Sequence, residues 1–434
     1  MYLAYRGAKV LVSEVEESAE KLQQAKQLKV LGVTVEFGPH SEAVAQYGEL
    51  IITSPGIKPN TPIFERAREL GKEVICDVEL AFRETRVPMV AITGTNGKST
   101  TAALVSYILE KTGRVAPACG NFGVPILSTL EKNPDFLVVE VSSYQLHYCK
   151  NIAPQIAVWL NLTPDHLEWH GGLEGYIKDK QQLFINQRKD QYCVLNTDDP
   201  IVAATPGRSQ IFPISVDSEL DYAVQGAFMK GGHLCVRKGG RTRVLCHASE
   251  LQIMGKHNLE NALAAISVCT LIGVDAAEIE LYLKEFAGLE HRLEFVGTVN
   301  GVRFYNDSKA TNPDSAIKAL QSFPDDKVVL IAGGRDKLTD LGDFVHSVRN
   351  HASAVILIGE AKERFDRALR EGGVANIYPV DTLEEAIATG ENLKLGPVVL
   401  SPACASFDMF KDFEDRGRVF KDIVRRLQKM APGA

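Results

Sequence analysis

Apolar runs of strand length alternate with amphipathic segments of helix length along most of the chain. The apolar runs predict strands at residues 8–13, 33–37, 50–53, 73–76, 87–93, 135–141, 156–162, 327–332, 354–358, 377–380 and 398–401, and helical periodicity predicts helices at 18–31, 63–70, 99–111 and 258–271. Strands that alternate with helices form parallel sheets covered by helices, so the predicted fold class is α/β.

Two stretches have a different pattern. Short alternating runs around Gly231-Gly232 and Gly239-Gly240 predict β-hairpins within 209–256, and Asn300-Gly301 lies between two further alternating runs. Because 434 residues exceed the size of a single core, we expect several domains. The predicted domains are a small α/β domain at 1–77, a central domain with a parallel sheet and a small β-hairpin region at 78–289, and a second doubly wound domain at 290–434.

The first residues predict a sheet that lacks one strand. Residues 2–6 followed by Gly7 have the pattern of a last helical turn with its C-terminal glycine. A helix end that leads into a strand is normally preceded by another strand and a Gly-rich turn. We therefore expect the first sheet to be short of its first strand.

Composition and charge narrow the function classes. The formal net charge of −7 argues against sequence-independent nucleic-acid binding, which needs clustered Lys and Arg. The longest apolar runs are far shorter than a membrane span, and residues 1–10 lack the apolar segment of a signal peptide. The eight cysteines form no C-x-x-C pair, which indicates reduced thiols in the cytoplasm rather than a zinc knuckle.

A Gly-rich loop joins the predicted strand at 87–93 to the helix at 99–111. The loop reads Thr93-Gly94-Thr95-Asn96-Gly97-Lys98-Ser99-Thr100. In this layout backbone N–H groups and the helix N-terminus face an anion, the lysine adds a positive charge, and a Ser or Thr hydroxyl can ligate Mg²⁺. Ile92 stands where the G-x-x-x-x-G-K-[ST] motif has its first glycine, so an ordinary Gly-rich turn is the alternative.

Polar residues near two other strand ends are candidate metal ligands. Glu140 lies near the end of the apolar strand 135–141, where a carboxylate suits Mg²⁺; a salt-bridged strand end is the alternative. His166 and His170 have i, i+4 spacing, but Leu167 replaces the Glu of the zinc motif H-E-x-x-H. We therefore expect His166 to line the phosphate and metal crevice and His170 to be structural.

Lys180 lies on the apolar face of a predicted helix. It shares helical spacing with Leu173, Ile177 and Phe184. Burial would lower the pKa of the lysine and favour the neutral amine, which can react with CO₂ to give a carbamate, a metal-binding carboxylate. From the residues alone, a buried stem with a solvated ammonium group is the simpler interpretation.

Three polar loops follow strands of the predicted C-terminal domain. They are 306–313 (NDSKATNP), 333–337 (GGRDK) and 401–407 (SPACASF). Each loop alone is typical of a plain turn, but three at strand ends predict one wall of a binding cleft. Cys404 has no visible His partner, so we expect a packed thiol.

Together these motifs resemble those of the Mur ligase family, ATP-dependent enzymes that form amide bonds in peptidoglycan precursors. The similarity rests on TGTNGKST (93–100), GNFG (120–123), VEVSSYQL (139–146), TPDHL (163–167), Lys180, GKHNLENALAA (255–265), EHR (290–292), YNDSKATNP (305–313), GGRDK (333–337) and SPACASFDMFKDFEDRG (401–417). The last two motifs are most similar to those of members that add D-glutamate to UDP-N-acetylmuramoyl-L-alanine.

The resemblance implies a monomer with a Rossmann-like UDP-binding domain, a central ATPase domain and a Rossmann-like domain that brings the amino acid. It implies that ATP is bound by Gly94, Thr95, Asn96, Gly97, Lys98, Ser99, Thr100, Asn258, Asn261, Arg292 and Asp307. It implies that two Mg²⁺ ions are held by Ser99, Glu140, His166 and carbamylated Lys180. The resemblance stops at the N-terminus, so the start is expected to be misassigned or the uracil pocket incomplete.

The same resemblance places the other substrates and the reacting centre. Lys309 would act at the reacting centre with His166 and Lys180. The UDP-sugar would touch Ser54 and Asn121, and D-glutamate would be received by Thr311, Lys337, Ser406 and Phe413. The alternatives are a related ligase for another amino acid, such as a muramoyl-tripeptide or folylpolyglutamate synthetase, and a non-catalytic nucleotide-binding protein; a P-loop switch is less consistent with the three polar loops.

Overall fold

Residues 1–40, 42–323 and 326–430 are described by the computed structural model, in which the chain forms two units. The first unit comprises Met1–Glu250 and Glu260–Lys284, and the second comprises Leu251–Leu259 and the chain from Glu285 onward. Residues 431–434 of the predicted C-terminal domain lie outside the described part. The division into three domains stays a prediction.

Short strands and helices alternate in the N-terminal segment, as the apolar pattern predicts. The elements are α1 (Tyr2–Tyr5), β1 (Leu11–Glu14), α2 (Ala19–Val30), β2 (Thr34–Phe37), α3 (Glu42–Tyr47), β3 (Leu50–Thr53), α4 (Pro62–Glu69) and β4 (Glu73–Cys76). β1 pairs in parallel with β2, and β3 with β4; no ladder joins the two pairs in the described chain. The expected N-terminal sheet is therefore present as two separate parallel pairs.

The rest of the first unit is built on a nine-stranded sheet. Its elements are α5 (Asp77–Glu84), β5 (Met89–Thr93), α6 (Lys98–Lys111), β6 (Ala118–Gly120), α7 (Ile126–Thr129), β7 (Leu137–Glu140), α8 (Ser143–His147), β8 (Ile156–Trp159), α9 (Leu167–His170), α10 (Leu173–Ile185), β9 (Tyr192–Asn196), α11 (Pro200–Ala203), β10 (Gln210–Ser215), β11 (Gly226–Lys230), β12 (His233–Lys238), β13 (Arg241–His247), and most of α12 (Lys256–Ile272) and of α13 (Ala276–Glu285). The strand order is β13-β12-β11-β10-β9-β8-β5-β7-β6. The strands from β6 to β11 are parallel neighbours, and β11, β12 and β13 are antiparallel.

The two predicted Gly-Gly hairpins are confirmed and extend this sheet. They join β11 to β12 and β12 to β13, so the hairpin region is continuous with the parallel strands. The sheet and the N-terminal segment share one hydrophobic cluster, in which Phe64 and Val78 belong with Val139 and Trp159. The core of the first unit therefore reaches from the N-terminal helices to the middle of the sheet.

The second unit has a six-stranded sheet with helices on both faces. Its elements are β14 (Glu294–Val299), β15 (Val302–Asn306), α14 (Pro313–Gln321), β16 (Val328–Gly333), α15 (Gly342–His351), β17 (Ala352–Ile358), α16 (Lys362–Glu371), β18 (Ile377–Pro379), α17 (Leu383–Leu393), β19 (Val398–Leu400) and α18 (Phe413–Met430). The order is β14-β15-β19-β16-β17-β18, and only the β14–β15 pair is antiparallel among these strands.

Alternate residues of β17 belong to two different hydrophobic clusters. Val355 and Leu357 pack in the cluster of Phe344 on α15, whereas Ile356 belongs to the cluster of Phe420 on α18. Side chains of a strand alternate between the two faces of its sheet, so helices cover both faces. The α/β fold class is confirmed, and the finer Rossmann-like description stays a prediction.

One turn and the character of the helices were also predicted from the sequence. The Asn300-Gly301 hairpin is confirmed, because both residues have positive φ angles of 47° and 84°, the conformation of a tight two-residue turn. In the described ranges, no helix combines the length and the apolar character needed to cross a bilayer.

Candidate active site

The Gly-rich loop folds tightly between β5 and α6. Gly97 precedes α6 with a φ of +83°, a conformation that residues with a side chain rarely adopt. A Cβ atom at this position would overlap Oδ1 of Asn261 and lie 3.2 Å from Cδ1 of Leu160. Glycine is therefore required both by conformation and by close approach, and α6 begins directly after the loop, which is the layout of a phosphate cradle.

Asn161, just after β8, braces the loop. Its Oδ1 accepts a hydrogen bond from the backbone N–H of Asn96 over 2.9 Å, and its Nδ2 donates to the Asn96 carbonyl. Thr95 is held in turn by the Thr163 N–H, which donates to its Oγ1 over 3.0 Å. Asn161 was not predicted. The available signal was its position as a polar residue shortly after the buried strand β8, which pairs with the strand that leads into the Gly-rich loop.

Lys98 and Lys180 approach the loop from two helices. Nζ of Lys98 donates to the carbonyl oxygens of Gly94 and Thr95, each over 2.9 Å. Nζ of Lys180, on α10, donates to the same Gly94 oxygen over 2.9 Å and lies 3.4 Å from Oγ1 of Thr93. The two cations are therefore neighbours at the base of the phosphate loop.

The side chain of Lys180 is buried to its end. Lys180 is 1% exposed, and its Nζ lies 4.8 Å from the ring centre of Tyr176. Burial, reinforced by the charge of Lys98, lowers the pKa of Lys180 well below its ordinary value, although Asp165 and Glu140 act in the opposite direction. The interpretation of a solvated ammonium group was wrong, because α10 packs this face onto the loop.

Glu140 ends β7, the strand next to β5, and pairs in register with Ile92. It is 2% exposed, and its Oε1 accepts a hydrogen bond from Nδ2 of Asn121 over 2.8 Å. Its Oε2 is buried with no hydrogen-bond partner among the described residues. A buried carboxylate oxygen without a partner is costly unless a cation binds it, so Glu140 fits a Mg²⁺ ligand better than a salt-bridged strand end.

His166 and His170 have different environments. His166 precedes α9 with a φ of +52°; its side chain is half-exposed, and its Nε2 lies 3.4 Å from Oδ2 of Asp165. His170 has both ring nitrogens occupied: Nδ1 faces Asp179 at 2.6 Å and Nε2 faces Ser143 at 3.0 Å. No cluster of three or more His, Cys, Asp and Glu side chains suited to a metal occurs in the described chain. His170 is structural, as predicted, and a zinc pair with His166 is not supported.

The carboxylate of Asp179 is hydrogen-bonded to both His147 and His170. Burial alone would raise the pKa of Asp179, but the hydrogen bonds from His147 and His170 outweigh it, and the pKa lies below its ordinary value. The sequence analysis missed this residue. Its partners lie 32 and 9 residues away along the chain, so local spacing gave no signal.

Two aromatic side chains fix the turn that contains Ser54. Ser54 is exposed directly after β3. Nε1 of Trp169 donates to the Gly56 carbonyl over 3.0 Å, and the Tyr148 hydroxyl donates to the Ile57 carbonyl over 3.1 Å. Trp169 belongs to α9, which His166 precedes, so the Ser54 turn and the His166 turn are joined by one side chain. Neither aromatic residue was singled out from the sequence.

The three polar loops of the second unit contact one another. Nζ of Lys337 donates to the Thr311 carbonyl over 3.0 Å. The Arg335 N–H donates to the Ala405 carbonyl over 2.9 Å. β15, β16 and β19 are parallel neighbours, which brings the carboxyl ends of these strands to one edge.

Asp307 is the buried carboxyl group of these loops. Ser401 donates its hydroxyl to Oδ2 over 2.7 Å, and the Leu293 N–H donates to Oδ1 over 3.1 Å. Burial raises the pKa of Asp307 to about 7, although these hydrogen bonds and the charges of Arg292 and Arg416 oppose the rise. Asp307 therefore changes protonation near neutral pH.

The other predicted residues of the second unit lie on the polar loops or, for Phe413, at the start of α18. Nζ of Lys309 lies 5.4 Å from the ring centre of Phe413, which begins α18. Ser406 is 2% exposed, and Thr311 is partly exposed. Cys404 is buried, and burial raises the pKa of its thiol to about 12, so the packed thiol is confirmed.

Arg416 links two of the loops and was not predicted. It is 1% exposed. Its Nη2 donates to the Ser308 carbonyl over 2.7 Å and its Nε to the Ser308 hydroxyl over 2.9 Å. Its Nη1 donates to the carbonyls of Cys404 and Ala405. The guanidinium thus spans loops that are about a hundred residues apart in sequence.

Asn258 and Asn261 lie three residues apart on α12 but face different groups. Nδ2 of Asn258 donates to the Met254 carbonyl over 2.7 Å. Oδ1 of Asn261 accepts from the Thr101 hydroxyl over 3.1 Å and packs against Gly97. Asn261 therefore supports the phosphate loop directly; adenine contact by either residue stays a prediction.

The first unit carries a Gly-rich loop between a strand and a helix, a strand-end carboxylate and a buried lysine. This layout is typical of phosphate-loop nucleotide-binding folds. The model of the Mur ligase middle domain matches residues 92–269, and that of the Mur ligase glutamate ligase domain matches 291–403. The chain belongs to the Mur ligase family.

Relatives and solved structures agree with this assignment. UDP-N-acetylmuramoylalanine–D-glutamate ligase from a Thermoanaerobacter species is 40% identical over 97% of this chain and 94% of its own length. The enzyme of the same name from Geotalea uraniireducens is 40% identical over 98% of this chain and 94% of its own length. The structure of UDP-N-acetylmuramate–alanine ligase from Thermotoga maritima covers 98% of this chain and 95% of its own, with a TM-score of 0.60 and 22% identity, and supports the fold.

Proposed function

We propose that this chain is an ATP-dependent ligase that joins D-glutamate to UDP-N-acetylmuramoyl-L-alanine and releases ADP and phosphate, in peptidoglycan precursor synthesis. The observation that carries the proposal is the Gly-rich loop with buried Lys180 and, on the neighbouring strand, Oε2 of Glu140, which has no hydrogen-bond partner among the described residues. Relatives about 40% identical over nearly the whole chain bear the name of this activity. The amide bond requires an activated carboxylate, and ATP supplies the activation.

The proposed reaction has two steps. The L-alanyl carboxylate attacks the γ-phosphorus of ATP, the bond to the bridging oxygen breaks, and ADP leaves behind an acyl phosphate. The amine of D-glutamate then attacks the acyl carbon and loses a proton as phosphate leaves. The backbone N–H groups of the loop and the ammonium of Lys98 hold the phosphates, and Lys309 offsets charge at the reacting centre.

Ser99, Glu140, His166 and a carbamylated Lys180 are the proposed ligands of two Mg²⁺ ions, which when bound offset the negative charge of the phosphates. The buried amine of Lys180 is suited to carbamylation because its pKa is lowered by burial. Its nitrogen bonds to the carbon of CO₂ and a proton is released, so a cation becomes a carboxylate. This change also removes the repulsion between Lys180 and Lys98.

The residues proposed to receive D-glutamate are Thr311, Lys337, Ser406 and Phe413. The ammonium of Lys337 suits the side-chain carboxylate of an acidic amino acid. Ser54 and Asn121 are proposed to contact the UDP-sugar, and Asn258, Asn261, Arg292 and Asp307 are proposed to contact ATP. We also propose that the protein acts as a monomer in the cytoplasm, where both nucleotides are found.

The test is ADP release measured with each substrate omitted in turn. We expect release only when UDP-N-acetylmuramoyl-L-alanine and D-glutamate are both present, and a panel of D- and L-amino acids should leave D-glutamate as the preferred acceptor. Turnover only with L-lysine, diaminopimelate or L-alanine would assign the chain to another ligase of the family. ATP binding without turnover would favour a non-catalytic nucleotide-binding protein.

A further inference from the structure

The carboxylate of Asp179 joins three short elements of the first unit. Asp179 lies on α10, and its side chain is 14% exposed. Nδ1 of His147 lies 3.0 Å from its Oδ1, and Nδ1 of His170 lies 2.6 Å from its Oδ2. His147 is the last residue of α8 and His170 the last residue of α9, so one carboxylate holds the ends of two helices against a third.

Ser143 completes the network on the other side of His170. Its Oγ lies 3.0 Å from Nε2 of His170. With the Nδ1 proton directed at Asp179, Nε2 accepts from the Ser143 hydroxyl, and every polar atom of the ring has a partner. The order Ser-His-Asp matches that of a hydrolytic triad, but the side chain of His170 is 0% exposed. A substrate has no access to it, so the network acts by holding other groups in place.

A proposed metal ligand lies on α10 or close in sequence to the start of each of the other two helices. Glu140 lies three residues before α8, His166 precedes α9, and Lys180 follows Asp179 on α10. Successive residues of a helix point about 100° apart. Asp179 therefore faces α8 and α9 while Lys180 reaches the Gly94 carbonyl of the phosphate loop.

We propose that Asp179 is a positioning residue for the magnesium site, holding α8 and α9 against α10 so that Glu140, His166 and Lys180 keep their mutual positions. This inference rests on the proposed function above. Residues that orient metal ligands without touching the metal typically change metal affinity by about 10- to 100-fold when they are replaced. The carboxylate of Asp179 accepts hydrogen bonds from the imidazole N–H groups of His147 and His170. The side-chain amide of an asparagine at this position would have one oxygen to accept from one of them, and its NH₂ group would face the other N–H group.

Asp179→Asn is the test, with Glu174→Gln as the matched control, since Glu174 is exposed on the same helix. Mn²⁺ is titrated into each protein with a non-hydrolysable ATP analogue, and free Mn²⁺ is followed by electron paramagnetic resonance. In parallel, ¹³C NMR under ¹³CO₂ reports the lysine carbamate. We expect about tenfold or greater loss of Mn²⁺ affinity and a weakened carbamate signal in Asp179→Asn, and wild-type values in Glu174→Gln.

Circular dichroism and the melting temperature separate a positioning role from a loss of fold. If Asp179→Asn does not fold, His147→Gln removes one of the two hydrogen bonds and is expected to lower Mn²⁺ affinity severalfold in a folded protein. Wild-type Mn²⁺ affinity and carbamate signal in a folded variant would overturn the positioning role. If the wild-type protein forms no ADP, the proposed function is overturned. The Mn²⁺ titration needs no turnover, so it would still decide whether Asp179 positions the metal ligands.

Discussion

Lys98 and Lys180 donate hydrogen bonds to one acceptor, the carbonyl oxygen of Gly94, each over 2.9 Å. Two ammonium groups around one oxygen repel each other, and the buried one loses its hydration as well. Burial and the charge of Lys98 therefore lower the pKa of Lys180 well below its ordinary value, which favours the neutral amine. The neutral amine is the form that reacts with CO₂, so this pair is consistent with the proposed carbamylation of Lys180.

The first prediction concerns Lys180→Ala. If the carbamate of Lys180 is a metal ligand, the alanine variant should lose activity by about 100-fold or more, as expected for removal of a ligand and its charge. Short carboxylates such as formate or acetate should restore part of the activity, because the vacated space admits a carboxylate at the same position. Steady-state ADP release with increasing carboxylate measures the effect.

Lys178→Ala is the control for this experiment, since Lys178 is exposed on the same helix. It should keep wild-type activity and show no response to added carboxylate. Full activity of Lys180→Ala without any carboxylate would exclude carbamylation as a requirement.

The second prediction compares Gly97→Ala with Gly113→Ala. Both glycines have a φ of +83°, but a Cβ at 97 would overlap Asn261, whereas no atom lies within 4 Å of a Cβ at 113. At both positions alanine would have to adopt this positive φ, which lowers the free energy of unfolding by about 1 kcal/mol. Only Gly97→Ala should also distort the phosphate loop and weaken ATP binding by about tenfold or more, as measured by calorimetric titration with a non-hydrolysable analogue.

A double variant identifies the cause. Asn261→Ala removes the atom that the new methyl group would meet, but it also removes a proposed ATP contact, so the loss of ATP affinity in the Gly97→Ala/Asn261→Ala double variant should be smaller than the sum of the losses in the two single variants. Equal ATP affinity of the two single glycine variants would show that close approach at 97 does not matter.

The third prediction is a pH effect at Asp307. Burial raises the pKa of this carboxyl group from 3.8 to about 7. The folded state therefore keeps a proton that the unfolded chain loses, and this group's contribution to the free energy of unfolding falls as the pH rises from about 4 to about 7. Asparagine does not titrate, so this contribution does not change with pH in Asp307→Asn. Between pH 4 and pH 8 the free energy of unfolding of the variant should therefore fall by roughly 1–4 kcal/mol less than that of the wild type.

Urea unfolding at a series of pH values measures this difference. Asp343→Asn, at an exposed site of α15, is the control and should follow the wild-type pH profile. A parallel profile for Asp307→Asn and the wild type would mean that Asp307 is ionised in the folded protein throughout this range.

Structure that depends on neighbouring residues was predicted from the sequence, whereas contacts between residues far apart in the chain were not. The loop 93–100, the helix after it, the Gly-Gly hairpins and the Asn300-Gly301 turn are encoded by neighbouring residues, and all are found. Helical spacing placed Lys180 on the apolar face of α10, but it did not predict the burial of the ammonium group, which depends on how α10 packs. Asp179 and Arg416 escaped prediction because their partners are brought together only by the tertiary fold.

The last prediction concerns Arg416, whose guanidinium holds the loop at 306–313 to the loop at 401–407. Lysine keeps the charge but has one nitrogen, so Arg416→Lys cannot reach both Ser308 and the carbonyls of Cys404 and Ala405. Buried acceptors left without a donor cost about 1–3 kcal/mol each, so the melting temperature should fall by several degrees. The KM for D-glutamate should also rise, because Ser406 and Thr311 lie on the loops that separate. Arg418→Lys, at an exposed site of the same helix, should change neither quantity, and an unaltered KM in a folded Arg416→Lys protein would show that the loops keep their positions without this residue.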